Sequence, residues 1–283
     1  MLRIALFAFG LRGAQEAFRC AAWEGWIDSV PSPTLPPVGF GGRVARSAGW
    51  GASAPRQHKR WSVATEPVLQ SPSAHSSNAE PLGAILAGGA SRRFGAAKAL
   101  AEVGGRRIVE RVRDALAAAV DDVILIANEP ELFGDLDLPA RGDLRPGLGA
   151  AAGIETALRW AMEMGRPGAV CVACDMPFVS PALLRELVRR ARDGDADAVV
   201  PESTGRRGIE PLCAWYSVAC LPAVERALAS DERSLHALLA TVRAGRIPLA
   251  EVRRFGDPEI IFMNVNTPDD HRRAIDLARH ADA

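Results

Sequence analysis

Four short apolar runs, separated by segments of helical length, constrain this chain more than any other feature. They are Gly83-Ala-Ile-Leu-Ala-Gly88, Asp121-Asp-Val-Ile-Leu-Ile-Ala127, Gly168-Ala-Val-Cys-Val-Ala-Cys-Asp175 and Asp197-Ala-Val-Val-Pro201. Their interiors are apolar without alternation, the pattern of strands buried on both faces. Between the first two, Ile108, Val109, Val112, Leu116 and Val120 recur at helical spacing. Residues 149–164 read as a second helix, and Ser180-Pro181 opens a third with a capping hydroxyl and a proline in its first turn. Strands alternating with helices predict an α/β domain, a mostly parallel sheet covered on both faces. Right-handed crossovers then bring the loops that follow the strands to one edge, where such folds bind ligands.

The first 82 residues lack this pattern. They hold eight of the 20 prolines and four of the six tryptophans, but no apolar periodicity longer than about two helical turns. They carry 8 Lys+Arg against 5 Asp+Glu, so the formal net charge of zero sums a basic segment and an acidic remainder. The expected organisation is a disordered extension over 1–82 and one domain over 83–283. A start site assigned too early is the other reading, since no methionine lies between Met1 and Met162. The opening Met1–Leu11 resembles a weak signal segment, but its apolar run ends at Arg12 and no small-residue cleavage site follows. It is also far shorter than the ~20 residues of a membrane helix. A cytoplasmic protein without a membrane partner is expected. Net neutrality and a pI near 7.0 argue against nucleic acid, and five cysteines in 283 residues are no disulfide scaffold.

Chemistry concentrates in Leu86-Ala-Gly-Gly-Ala-Ser-Arg-Arg-Phe-Gly-Ala-Ala-Lys98. Glycines let backbone approach a ligand, successive N–H groups can cradle phosphate, and Arg92, Arg93 and Lys98 supply cations. The competing reading is a strand-to-helix turn with surface charges. Two familiar phosphate loops do not fit: Lys98 lies three residues beyond Gly95, and Gly88 and Gly89 are adjacent. The chain has only two lysines, Lys59 and Lys98, so Lys98 is the sole lysine of the expected domain. Cys171 and Cys174 have C-x2-C spacing but no second pair nearby, and read as buried strand rather than zinc ligands. All five histidines lie outside these segments, which leaves Ser–His–Asp catalysis without an anchor.

The glycine-rich stretch resembles the nucleotidyltransferase signature L-A-G-G-x-S-x-R-[MF]-G-x-D-K. With it come Gly142-Asp143, Arg145-Pro-Gly-Leu-Gly-Ala-Ala-Ala-Gly-Ile154, Cys174-Asp175-Met-Pro-Phe178, Gly208-Ile-Glu-Pro-Leu212 and Phe262-Met-Asn-Val-Asn-Thr-Pro268. In this order they resemble the molybdenum cofactor guanylyltransferase family from about Gly83 to the C-terminal helix. The resemblance implies a Rossmann-like three-layer αβα nucleotidyltransferase fold and transfer of GMP from GTP to molybdopterin. It further implies Mg2+ on Asp175, and catalysis by Lys98, Arg93 and Asp175. Nucleotide contacts are implied for Leu86, Ala87, Gly88, Gly89, Lys98, Asp143 and Asp175. The partners the resemblance implies are GTP and molybdopterin as substrates, with room for proteins that deliver the cofactor or chaperone molybdoenzymes, on which the sequence itself is silent.

The double glycine and the C-D-M-P and N-T-P segments favour the guanylyl branch. The alternatives are a cytidylyltransferase of the same cofactor, a nucleotidyltransferase acting on a sugar phosphate, and a non-catalytic nucleotide or cofactor carrier. The carrier reading draws on Ala97, which stands where the family usually has Asp before the lysine. Residue by residue, other roles stay open: a helix cap for Asp175, a turn carboxylate for Asp143, and a strand end plus helix cap for Asn264 and Asn266. Asn264 and Asn266 are weaker candidates on the acceptor side. Asn128 reads as a strand end and is not among the candidates, the family's asparagine aligning with Ile126.

Overall fold

The protein was analysed as a computed structural model, which describes residues 79–88, 98–230 and 234–281. The expected extension therefore lies outside the described residues up to residue 78, as do Gly89, Arg92, Arg93 and Ala97.

The described residues form nine strands: β1 Leu82–Leu86, β2 Glu102–Val103, β3 Arg106–Arg107, β4 Val123–Ile126, β5 Ala140–Arg141, β6 Gly168–Ala173, β7 Ala198–Pro201, β8 Cys213–Ser217 and β9 Ala244–Ile247. Seven form one sheet in the order β5-β4-β1-β6-β8-β7-β9. β1 pairs in parallel with β4 on one side and β6 on the other. β8 alone runs against its neighbours, antiparallel to both β6 and β7. β2 and β3 form a separate antiparallel hairpin. Its two turn residues, Gly104 and Gly105, have φ of 60° and 70°, the left-handed pair that a tight hairpin turn requires.

The helices are α1 Ile108–Ala117, α2 Ala150–Glu163, α3 Pro181–Asp193, α4 Leu221–Ala229, α5 Leu235–Leu239, the single turns α6 Leu249–Val252 and α7 Pro258–Ile261, and α8 Pro268–Ala281. α1 begins where Glu110 accepts a hydrogen bond from the Arg107 N–H at 2.9 Å, satisfying a donor that the first turn leaves unpaired. Ser180 caps α3 by accepting from the Leu183 N–H, and Pro181 supplies the preset first turn.

Side chains leave the sheet alternately, giving a core on each face. Ile85, Val123, Leu125, Val170 and Val172 meet α1, α3 and α8 on one face, through Val112, Leu116, Leu187 and Ala274 among others. Leu82, Ala84, Leu86, Ile124, Ala169 and Cys171 meet α2 and α4 on the other, through Ile154, Leu158 and Val224. The expected three layers and mostly parallel sheet are thus present. Cys171 and Cys174 belong to opposite faces, so their C-x2-C spacing does not converge on one point.

Among the described residues no helix is long and apolar enough to cross a membrane. Gly168 starts β6 so close to β8 that a Cβ there would sit 2.1 Å from the Tyr216 carbonyl oxygen. Backbone cannot step aside, so Gly168→Ala is expected to destabilise the fold by about 1–3 kcal/mol. An unchanged urea midpoint in that variant would contradict the pairing.

Candidate active site

Four parallel strands lie side by side in the order β5-β4-β1-β6, and each delivers one polar or glycine position two residues beyond its end. These positions are Asp143 after β5, Asn128 after β4, Gly88 after β1 and Asp175 after β6. β1 leads through α1 to β4 on one side, while β6 pairs with it on the other. That reversal of direction is the point where α/β sheets open a crevice for ligands.

The strand ends are tied together. The Ala87 N–H donates to the Ile126 carbonyl at 2.8 Å, and the Cys174 N–H donates to the Leu86 carbonyl at 3.1 Å. Leu86 and Ala87 turn their side chains into the two cores. What they can offer a nucleotide is therefore backbone. A Cβ at Gly88 would lie 3.6 Å from Asp143 Oδ2 and 3.9 Å from Asn128 Oδ1, so these three positions share one corner of the crevice. Asn128 Oδ1 is shielded and has no hydrogen-bond partner. The sequence reading left Asn128 out of its candidates, and the structure places it beside two of them, Gly88 and Asp143. The signal was available: a polar residue just past a buried strand on the ligand edge.

Asp143 stands in a turn, as one reading of the sequence allowed. Its Oδ1 accepts from the Arg145 N–H at 3.1 Å and from the Thr156 hydroxyl at 3.2 Å. Its Oδ2 is the oxygen on the Gly88 side.

Lys98 and Asp175 form the second half of the site. Lys98 lies in a helical segment over residues 98–100, and its Nζ donates to Asn266 Oδ1 at 2.8 Å. Asp175 caps no helix, since Ser180 caps α3. Its backbone carbonyl accepts from the Val265 N–H at 2.9 Å, which brings the C-terminal segment beside β6. Burial pushes the Asp175 carboxyl pKa up, and the Lys98 ammonium pulls it part of the way back. Asp175 Oδ1 is shielded and has no hydrogen-bond partner. Glu210 also has a raised pKa, through burial first, with the Leu212 N–H pulling it back and the charge on Asp175 adding to the rise. The sequence analysis gave Glu210 no role.

The Asn-Thr-Pro segment divides its work. Residues 262–266 form no strand, contrary to one reading. Thr267 caps α8, accepting from the Asp270 N–H at 3.1 Å while Asp270 accepts from the Thr267 and Asn266 N–H groups. Asn266 is left facing Lys98, and Asn264 donates to the Phe262 carbonyl at 3.1 Å.

The donor set suits a hard divalent cation. Asp175 presents one shielded, unpartnered carboxylate oxygen, and among the described residues no three or more His, Cys, Asp or Glu side chains assemble a cage. Such an ion takes most of its ligands from water and substrate phosphate.

The raised pKa has a sign that can be measured. The unfolded chain releases the Asp175 proton first, near pH 3.8, so its ionisation costs folded-state stability as pH rises above that value. Without metal, Asp175→Asn is therefore expected to melt at a higher temperature than the wild type at pH 7, with the gap closing toward pH 4. A lower melting temperature for the asparagine protein at pH 7 contradicts this.

Comparison with known proteins agrees with this geometry. Residues 83–246 match the family described as MobA-like NTP transferase domain. A molybdenum cofactor guanylyltransferase of Desulfosudis oleivorans is 35% identical over 194 residues, covering 68% of this chain and 93% of the relative. One from Rhodobacter capsulatus is 38% identical over 201 residues, covering 70% and 96%. The crystal structure of molybdopterin-guanine dinucleotide biosynthesis protein A from Archaeoglobus fulgidus is similar with a TM-score of 0.59 and 28% identity, over 70% of this chain and 99% of that one. From these matches and from the crevice between β1 and β6, the chain belongs to the MobA-like NTP transferase family of nucleotidyltransferases.

Proposed function

We propose that this protein transfers GMP from GTP to molybdopterin, forming the guanine dinucleotide form of the molybdenum cofactor. The observation that carries the reading is the shielded Asp175 Oδ1, which has no hydrogen-bond partner at the ligand edge of the sheet and lies within the electrostatic reach of the Lys98 ammonium. Relatives named for this activity support the choice of substrates.

In the reaction, an oxygen of the terminal phosphate of molybdopterin attacks the α-phosphorus of GTP. A new phosphorus–oxygen bond forms, the bond from the α-phosphorus to the bridging oxygen breaks, and pyrophosphate leaves with that electron pair. Little covalent work falls to the protein, so positioning and charge stabilisation carry the acceleration. Asp175 would hold Mg2+, which when bound supplies positive charge to the phosphate oxygens. Lys98, held by Asn266, places a compact ammonium against the same oxygens. Gly88 leaves room for the nucleotide beside Asn128 and Asp143, the groups expected to contact guanosine. Arg93 would clamp phosphate oxygens with its planar fork.

The test is radiolabel transfer from GTP to molybdopterin, with CTP and ATP as controls and Mg2+ present. Label is expected from GTP alone. Equal use of the three nucleotides, or preference for CTP, overturns the guanylyl assignment.

A further inference from the structure

Among the described residues Glu155, Thr156 and Ser180 are polar or charged residues with less than a tenth of their surface exposed. Ser180 is accounted for as a helix cap. Glu155 and Thr156 are neighbours on α2, 1% and 2% exposed, and both reach the same turn. The Thr156 hydroxyl accepts from the Leu144 N–H at 3.0 Å. Its single proton is shared between Asp143 Oδ1 at 3.2 Å and the Ala152 carbonyl at 3.0 Å. Glu155 Oε2 lies 2.9 Å from Arg145 Nε, and its other oxygen accepts from Arg159 at 3.1 Å. The turn from Asp143 to Arg145 is thus held by two adjacent side chains of one helix, at Asp143 and Leu144 by hydrogen bonds and at Arg145 by an ion pair in which Glu155 Oε2 makes no aligned hydrogen bond.

Stability alone does not explain this arrangement. An ion pair whose carboxylate is buried, as Glu155 is here between two half-exposed arginines, must first offset the desolvation of that carboxylate. A hydroxyl and a carboxylate in a helix otherwise packed with Ala, Ile and Leu cost desolvation unless they are paired. What the pair secures is a geometry: Asp143 Oδ1 is occupied, and Oδ2 is left toward Gly88 and the crevice. We infer that Thr156 and Glu155 are positioning residues, which hold Asp143 so that its free oxygen contacts the base or ribose of the nucleotide. The inference rests on the reading of Asp143 as a nucleotide contact, not on which nucleotide is used.

Thr156→Val removes the hydroxyl at nearly constant volume. Two groups of the turn, the Leu144 N–H and Asp143 Oδ1, then lose a partner. The KM for the nucleotide that the wild type uses is expected to rise about tenfold. The KM for molybdopterin and the kcat at saturation should each stay within about twofold. Thr156→Ser keeps the hydroxyl and is expected to restore the nucleotide KM. Glu155→Gln, which keeps the shape and frees Arg145, should raise the nucleotide KM in the same direction and keeps the question answerable if the valine protein does not fold. A nucleotide KM left at the wild-type value by either Thr156→Val or Glu155→Gln overturns the inference. So does an equal rise in both KM values that serine does not reverse. A wild type that prefers CTP would overturn the guanylyl reading while leaving this inference open to the same measurement with CTP.

Discussion

The parallel pairing of β1 on both edges is the constraint on which the rest of the structure depends. Leu82–Leu86 is buried throughout, and its backbone groups are bonded to β4 and β6. An apolar strand in that position has no freedom of register, because a slip would exchange its two sets of side chains between the cores. The chain must therefore leave at Gly88, between the ends of two neighbours that lead to opposite sides of the sheet. Asp143, Asn128 and Asp175 follow from the same rule, each two residues past a strand aligned with β1.

The cost of the site is visible in its electrostatics. Asp175 is held where burial opposes its charge and where one oxygen has no partner. Lys98 offsets part of that cost without closing the site, since its ammonium is also bonded to Asn266. A shielded carboxylate oxygen without a hydrogen-bond partner at the ligand edge of a parallel sheet is the condition expected of a ligand-binding group. Two nearby cysteines show the contrast: Cys171 on β6 and Cys174 just beyond it are buried, with thiol pKa values pushed far up by desolvation, and so stay neutral and inert.

Much of this was legible in the sequence, because the decisive signals are local. The apolar run at 83–88 overlaps β1, those at 121–127, 168–175 and 197–201 contain β4, β6 and β7, and helices α2 and α3 open where glycine, serine and proline predict. Asp175 and Lys98 stood out by place and by scarcity. Less local features were hidden. The reversed direction of β8 depends on the loop before it, and Cys213–Ser217 reads alike in either direction. Asn128 was passed over because its meaning lies in Asp143, which the chain brings near only through the β4–β5 pairing. Thr156 and Glu155 sit in a helical pattern, where a polar residue reads as solvated until the turn at 143–145 is placed against it.

We propose that Lys98 acts as a phosphate-facing ammonium within the electrostatic reach of Asp175 rather than as a surface charge. The most direct test is the rate of pyrophosphate release from GTP, with molybdopterin and Mg2+ saturating, in a Lys98→Arg protein. Charge is kept in that variant, but a broad planar guanidinium replaces a compact donor, and the account predicts a rate at least ~tenfold below the wild type. An unchanged rate would contradict it.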